Sequence, residues 1–286
     1  MSLTSLPGSE SNVVRFQPIE KNKLADRCLL LLRAARPVNA YLLEGVAERA
    51  EGWSSSCLLV GGRVGGVLHL RGASSLHLFL TARLPEPARR EAVRQIERTC
   101  PGMRVLFGDR WSVEQFRRFS RVKPSRVQTF IAMESSRSSF RPAVRYLCAA
   151  ATPRQVPALV PLQVAYEIEE VGARPGSINR RAVQSVLRRR AARRELSAVF
   201  RDGEAVAMAG VNARFEELCQ IGSVYVVPSL RGRGYGTSVV SCHLVRLFHR
   251  YRRAVLFVNQ DNRPAYRLYR RIGFSETGVL LQAHYA

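Results

Sequence analysis

The segment 224–237 constrains the fold most strongly, because a strand, a turn and a helix follow one another there without a gap. A β-branched run ends at Pro228, glycines occupy every second position from 232 to 236, and a helical pattern follows. Glycines let backbone N–H groups approach a bound anion, and a helix N-terminus adds unpaired N–H donors and a positive dipole end. Arg231 and Arg233 add charge that suits phosphate. The segment predicts a pyrophosphate cradle, with a solvated glycine turn as the alternative.

A second segment, residues 262–274, reads N-R-P-A-Y-R-L-Y-R-R-I-G-F and follows the predicted strand Leu256–Asn259. It contains N-x-x-A-x-x-L-Y-x-x-x-G-F, and the first segment contains R-G-x-G-x-G after a strand that ends in V-x-P. In this order, with a helix and a strand between them, the two motifs resemble the acetyl-CoA-binding region of the GNAT acyltransferase superfamily. The resemblance covers residues 224–274, and a predicted hairpin extends it back to residue 197.

The resemblance implies an acyl-CoA-dependent N-acyltransferase that passes an acetyl group from acetyl-CoA to a primary amine by direct attack, without a metal. The backbone of Val226 and Val227 would bind the pantetheine arm, and Asn262 would contact it near the thioester. Tyr269 would act as general acid on the leaving thiolate, against the alternative of a buried core tyrosine. The residues expected to wrap the pyrophosphate are Arg231, Gly232, Arg233, Gly234, Tyr235, Gly236 and Thr237.

The position of the general base departs from the family pattern. Many members carry a glutamate on the strand before the phosphate turn, whereas this chain has Gln220 there, which cannot take up a proton. Either a base acts through water, or another carboxylate replaces it. The acidic candidates are Glu167, Glu169, Glu170, Glu216 and Glu217. The missing base leaves open a non-catalytic module that binds acyl-CoA as a sensor.

The order of predicted elements divides the chain into two halves. Each half runs through helices, a hairpin, a strand, a helix, a strand, a helix and a last strand, and the Val-Leu-Phe at Val105 recurs at Val255. We therefore expect an α/β fold of two GNAT-like units, each a mixed, mostly antiparallel sheet flanked by helices, although two domains could share an order by chance. Residues 1–140 would form a degenerate unit without a glycine turn. Residues 141–286, starting with a strand at Val144–Ala149, would form the acyl-CoA-binding domain.

The chain is strongly basic, with 45 Lys and Arg against 22 Asp and Glu and a net charge of +23. Such a surface attracts anions, nucleic acid included, whereas arginine-rich codon usage explains the same excess without a function. The densest basic run, Arg188–Arg194, has no zinc module or aromatic-rich RNA-binding strand beside it. A nucleic-acid-associated acetyltransferase is therefore the weaker alternative.

Several other classes are excluded by missing motifs. The six cysteines form no C-x-x-C pair, which argues against a structural zinc site. The chain has no P-loop, no H-E-x-x-H and no G-x-S-x-G. The apolar run Cys28–Leu32 is too short to cross a membrane. We therefore expect a cytoplasmic protein without a membrane segment, whose acceptor is a small-molecule or protein amine.

Overall fold

The computed structural model describes residues 14–20, 23–35, 37, 39–48, 53–72 and 74–285. Within this part the chain divides into two compact units. The first unit contains the chain up to Phe130 together with the residues from Thr277 onward, and the second unit is Ile131–Glu276. Each unit has a sheet and helices of its own.

The first unit has a sheet in the order β1-β2-β3-β4-β5-β12, with α1 to α4 in the connections. Its strands are antiparallel to their neighbours except for the parallel pair β4–β5. Two strands, β6 and β12, begin in one unit and end in the other. The bounds are β1 Val14–Pro18, α1 Lys23–Ala34, α2 Ala40–Ala47, β2 Trp53–Val60, β3 Arg63–Arg71, β4 Ser75–Leu80, α3 Glu86–Thr99, β5 Val105–Asp109, α4 Arg110–Phe119, β6 Arg126–Ser136 and β12 Ser275–His284.

The second unit has the order β6-β11-β10-β9-β8-β7, with one parallel pair, β10–β11, beside antiparallel pairs. The predicted class, a mixed α/β fold with a mostly antiparallel sheet flanked by helices, is confirmed. That the two units are copies of one ancestral unit stays a prediction. The bounds are β7 Ala149–Ala150, α5 Val156–Glu169, α6 Arg180–Ala192, β8 Leu196–Arg201, β9 Glu204–Phe215, β10 Leu218–Val226, α7 Tyr235–Leu247, β11 Arg253–Asn259 and α8 Arg263–Arg271.

The helices of the second unit cover both faces of its sheet. Neighbouring residues of a strand point to opposite faces. Met208 packs in a cluster with α5 and α6, whereas Ala209 packs in a cluster with α7 and α8. The second cluster is closed by Tyr251 and Phe274, each 2% exposed. This packing fixes the start of α7 and the end of α5 beside the same strand, β10.

The predicted strand at Val144–Ala149 is wrong. Only Ala149–Ala150 pairs with β8, and the preceding backbone bonds to serines of α7 instead. The N–H groups of Arg145 and Tyr146 both donate to Oγ of Ser238, at 2.9 and 3.1 Å. The Ser238 hydroxyl of α7 thus accepts the backbone hydrogen bonds that a neighbouring strand would accept if this segment were a strand, as its alternating pattern predicts.

The compact units divide the chain differently from the predicted domains, 1–140 and 141–286. The division falls after Phe130, and the residues from Thr277 onward join the first unit. There Leu280–His284 of β12 pair with Val105–Asp109 of β5. The functional assignment of the two predicted domains stays a prediction.

Two ion pairs of the second unit allow a stability test with matched charge changes. Glu134 of β6 accepts two hydrogen bonds from Arg253 of β11, at 2.6 and 2.8 Å, and its side chain is 19% exposed. Glu217 pairs with Arg252 at 2.8 Å, and its side chain is 62% exposed. We expect Glu134→Gln to cost about 1–2 kcal/mol and Glu217→Gln less than about 0.5 kcal/mol. Thermal unfolding of both variants checks this, and equal losses would contradict it.

Candidate functional site

The strands β10 and β11 separate along their length. Their parallel pairing joins Leu218–Gln220 to Arg253–Val255 and extends no further. On the other side of β10, the register with β9 shifts between Gly222 and Tyr225, a β-bulge that bends a strand. The end of β10 therefore leaves β11, and a gap opens between the two strands.

The backbone of Val226 faces this gap. Val226 lies opposite Ala207, and the N–H of the next residue, Val227, donates to O of Val206 at 3.0 Å. Val226 is thus at a non-hydrogen-bonded position of the antiparallel ladder, so its own N–H and C=O point away from β9. Of the two residues predicted to bind pantetheine, Val226 presents backbone groups to the gap, whereas the N–H of Val227 is already bonded in the sheet.

The glycine turn after β10 brings backbone N–H groups to the start of α7. Gly232 and Gly234 have φ of +75° and +92°, a left-handed conformation that favours glycine. A Cβ on Gly236 would lie 3.2 Å from Leu268 Cδ1, so glycine permits the close approach of α7 and α8. The first N–H groups of α7, from Tyr235 onward, have no acceptor within the helix and form its positive end. Arg233 and Thr237 complete the predicted cradle.

A tyrosine that the motif does not include supports this turn. The ring of Tyr146 stacks on Tyr235, with centroids 3.9 Å apart and an interplanar angle of 4°. Its hydroxyl donates to O of Arg233 at 3.0 Å. The sequence carries no signal for this contact, because the pattern around Tyr146 predicts a strand and says nothing of a partner that lies far along the chain.

Arg231 is held by an acidic residue of α5. Its Nη2 lies 2.6 Å from Oε2 of Glu169, its Nε donates to O of Val226 at 3.1 Å, and its guanidinium lies over the ring of Tyr225. The Tyr225 hydroxyl donates to the other oxygen of Glu169 at 2.5 Å. Burial, followed by this bond, raises the pKa of Tyr225 to about 12. Desolvation alone would raise the pKa of Glu169, but the hydrogen bonds from Tyr225 and Arg231 outweigh it and lower that pKa.

The helix α8 places Asn262 and Tyr269 on the other side of the gap. Asn262 caps α8, its Oδ1 accepting from the N–H of Ala265 at 3.1 Å, and its Nδ2 donates to Oε1 of Glu170 at 2.9 Å. Tyr269 follows two turns later and is 6% exposed. Burial raises its pKa, and Tyr166 and Glu170 raise it further. The hydroxyl therefore stays protonated at neutral pH, as a proton donor must.

The candidate bases named from the sequence are separated by the structure. Gln220 lies buried in the sheet between Ala213 of β9 and Val255 of β11. Glu216 and Glu217 lie in the turn before β10, about 25 Å of strand away from Val226. Glu167 accepts a hydrogen bond from Gln163, whereas Glu169 pairs with Arg231 and Glu170 accepts a hydrogen bond from Asn262.

The described residues contain no group of three or more His, Cys, Asp or Glu side chains able to hold a metal ion. No helix in the described ranges has the length and apolar character needed to cross a membrane.

A family model matches part of the second unit. Residues 164–274 match the family model of the Acetyltransferase (GNAT) family, so the chain carries a domain of this family. The matched range contains the glycine turn, Asn262 and Tyr269. An uncharacterised N-acetyltransferase of Methanocaldococcus jannaschii is 36% identical over 70 residues, which is 24% of this chain and 31% of the relative. The alignment thus spans less than a third of that relative.

Solved structures with low sequence identity share the fold. A GCN5-related N-acetyltransferase from Sphaerobacter thermophilus superimposes with a TM-score of 0.66, 17% identity and 94% coverage of each chain. A tandem GNAT protein from the clavulanic acid biosynthesis pathway gives 0.61, 16% identity, and 95% and 98% coverage of this chain and its own. A GNAT-family acetyltransferase from Colwellia psychrerythraea gives 0.60, 14% identity, and 95% and 100% coverage.

The histidine of α7 yields a prediction for acidic pH. His243 is fully buried, with Nδ1 hydrogen-bonded to Oγ of Ser197, and Arg246 donates to the same Oγ. Burial, followed by the charges of Arg246 and Arg190, lowers the pKa of His243 to about 3. Because the unfolded chain binds this proton more readily, stability from His243 is complete above pH 6.5 and falls by up to about 1.4 kcal/mol per pH unit below it. Ring ¹⁵N shifts should show a neutral imidazole at pH 5, and a charged ring there would refute the prediction.

Proposed function

We propose that this protein is an acyl-CoA-dependent N-acyltransferase that transfers acetyl from acetyl-CoA to a primary amine. The observation that carries the proposal is the gap between β10 and β11, which has the backbone of Val226 on one side and Asn262 and Tyr269 on the other. The glycine turn lies at the end of the same strand, so one extended ligand could reach both regions. We expect the protein to act in the cytoplasm.

The residues present fit coenzyme A. Backbone donors at the start of α7 suit the pyrophosphate, because oriented N–H groups and the helix dipole favour negative charge. The N–H of Val226 suits an amide carbonyl of pantetheine, as an added strand would. Asn262 has a side-chain donor at the end of the gap next to α8, the inner end. Arg231 has its guanidinium at the end next to the glycine turn, the mouth.

The chemistry follows from the same placement. The nitrogen of the acceptor forms a bond to the thioester carbon while the bond to sulfur breaks, and Tyr269 protonates the leaving thiolate. Its high pKa matches this role, since the hydroxyl holds its proton until a basic thiolate forms. The N–H groups beside the gap would stabilise negative charge on the carbonyl oxygen.

The glycine turn is tested by a charge placed in the cradle. Gly234→Asp adds a carboxylate where the pyrophosphate would lie, and we expect calorimetry to show CoA affinity at least about 10-fold weaker, a loss of 1.4 kcal/mol. Gly203→Asp is the matched control, because Gly203 also has a left-handed φ, +82°, and open space around it. It lies in the β8–β9 turn and should leave affinity unchanged. If the two variants bound CoA equally well, the glycine turn would not be part of the CoA-binding site.

The role of Tyr269 is tested by deleting its hydroxyl. Tyr269→Phe should leave CoA affinity within about 3-fold and lower kcat by about 10²- to 10⁴-fold, since only proton transfer is removed. Tyr251→Phe is the control, because this equally buried hydroxyl lies in the same core. If the Tyr269→Phe variant were as active as the parent, a group other than Tyr269 would have to protonate the leaving thiolate.

A non-catalytic acyl-CoA-binding module is the second candidate. The buried Gln220 favours it, because the family's usual position for the base holds a residue that cannot take up a proton. CoA binding by the parent without turnover of any amine in a broad screen would support the module over the enzyme.

A further inference from the structure

Two consecutive glutamates at the end of α5 reach the two sides of the gap. Glu169 holds Arg231, at the mouth, and Glu170 holds Asn262, at the inner end. The carboxylates lie at the C-terminal end of a helix, where the dipole disfavours negative charge. The hydrogen bonds from Arg231 and Asn262 thus compensate for the unfavourable effect of the helix dipole on the two carboxylates.

A second observation indicates that this cluster faces a binding position. Tyr269 is 94% buried, and no side chain or backbone group of the described residues hydrogen-bonds its hydroxyl. The electrostatic influence of Glu170 and Tyr166 reaches this hydroxyl. The hydroxyl oxygen itself is not fully enclosed by protein, so it borders space that a ligand could fill.

The bonds of the two glutamates compete with the proposed cofactor for the same donors. Arg231 Nη2 cannot keep its full hydrogen bond to Glu169 while it also donates to a pyrophosphate. In the same way, Asn262 Nδ2 cannot keep its full hydrogen bond to Glu170 while it also donates to a pantetheine carbonyl. Cofactor binding would therefore release Glu170 from Asn262, beside the expected thioester position, and Glu169 from Arg231, nearer the mouth, where Tyr225 still donates to it.

We propose, resting on the proposed function, that Glu170 is the proton acceptor for the ammonium group of the acceptor substrate, in place of the carboxylate missing at Gln220. Glu169 binds the same cation. Both carboxylates are released for this role when the cofactor takes Arg231 and Asn262. The acceptor is thus bound as a cation by carboxylates from a helix end.

The proton balance is complete with these groups. Glu170 takes one proton from the ammonium, which leaves a neutral amine to attack the thioester. The C–N bond forms and the C–S bond breaks, and Tyr269 gives its proton to the thiolate. The second proton of the attacking nitrogen returns to the Tyr269 oxygen, and Glu170 loses its proton to solvent.

The experiment measures CoA affinity by calorimetry for the parent, Glu169→Gln, Glu170→Gln and Glu167→Gln. Loss of a competing partner should tighten CoA binding about 2- to 5-fold in Glu169→Gln and about 2-fold in Glu170→Gln. Glu167→Gln carries the same charge change on the same helix but contacts Gln163, so its affinity should equal that of the parent. In the amine screen, Glu170→Gln should lose turnover at pH 7 and recover it toward the pKa of the amine.

The outcomes separate this proposal from the proposed function. A parent that does not bind CoA overturns the proposed function. Unchanged or weaker CoA binding in both site variants, with a parent that binds, overturns the competition. Tighter binding with full turnover of Glu170→Gln at pH 7 overturns its role as proton acceptor. Thermal unfolding of each variant shows whether the protein is folded.

Discussion

The separation of β10 from β11 after Gln220 is the constraint on which the site depends. A strand inside a sheet normally bonds on both edges, and unpaired backbone groups there are costly. Here the bulge near Ser223, with φ of +51°, ends the pairing and leaves the backbone of Val226 to other partners. Arg231 already supplies one through its Nε. The unpaired edge is therefore available to a ligand, and the turn and α7 follow directly from it.

The acidic residues in this region have a charge opposite to the net charge of the whole chain. With a net charge of +23, a cationic acceptor is repelled at long range, whereas an anionic cofactor is attracted. Glu170 creates a local field of opposite sign beside Tyr269. Because screening limits interactions between exposed charges to roughly 8–10 Å, this short-range field can dominate inside the gap.

The sequence predicts the local parts of the structure and misses those that depend on distant contacts. The hairpin predicted to begin near residue 197 is confirmed as β8 and β9, because it depends on neighbours within a few residues. The strand, turn and helix around Gly234 are also as predicted. The stack of Tyr146 on Tyr235 was not predictable, since the local pattern around a single aromatic residue carries no information about a distant partner.

The same reason explains why the sequence left five glutamates open as candidate bases and did not place the end of the chain. The contacts of Glu169 and Glu170 depend on where α5 ends relative to β10, which the local pattern does not define. The alternation of β12 predicts a strand but not its partner, since any open edge offers the same backbone bonds. Local structure was therefore predictable where a motif spans consecutive residues, and contacts were not predictable where two elements meet.

Two tyrosines near the site have raised pKa values, but their bonds assign them different roles. Tyr225 donates its proton to Glu169, so ionising it would place two anions within a hydrogen bond of each other. Its hydroxyl is thus committed to holding the carboxylate that pairs with Arg231. Tyr269 makes no such bond, and its raised pKa comes first from burial. Its proton is therefore available to a thiolate formed nearby, as the proposed role of general acid requires.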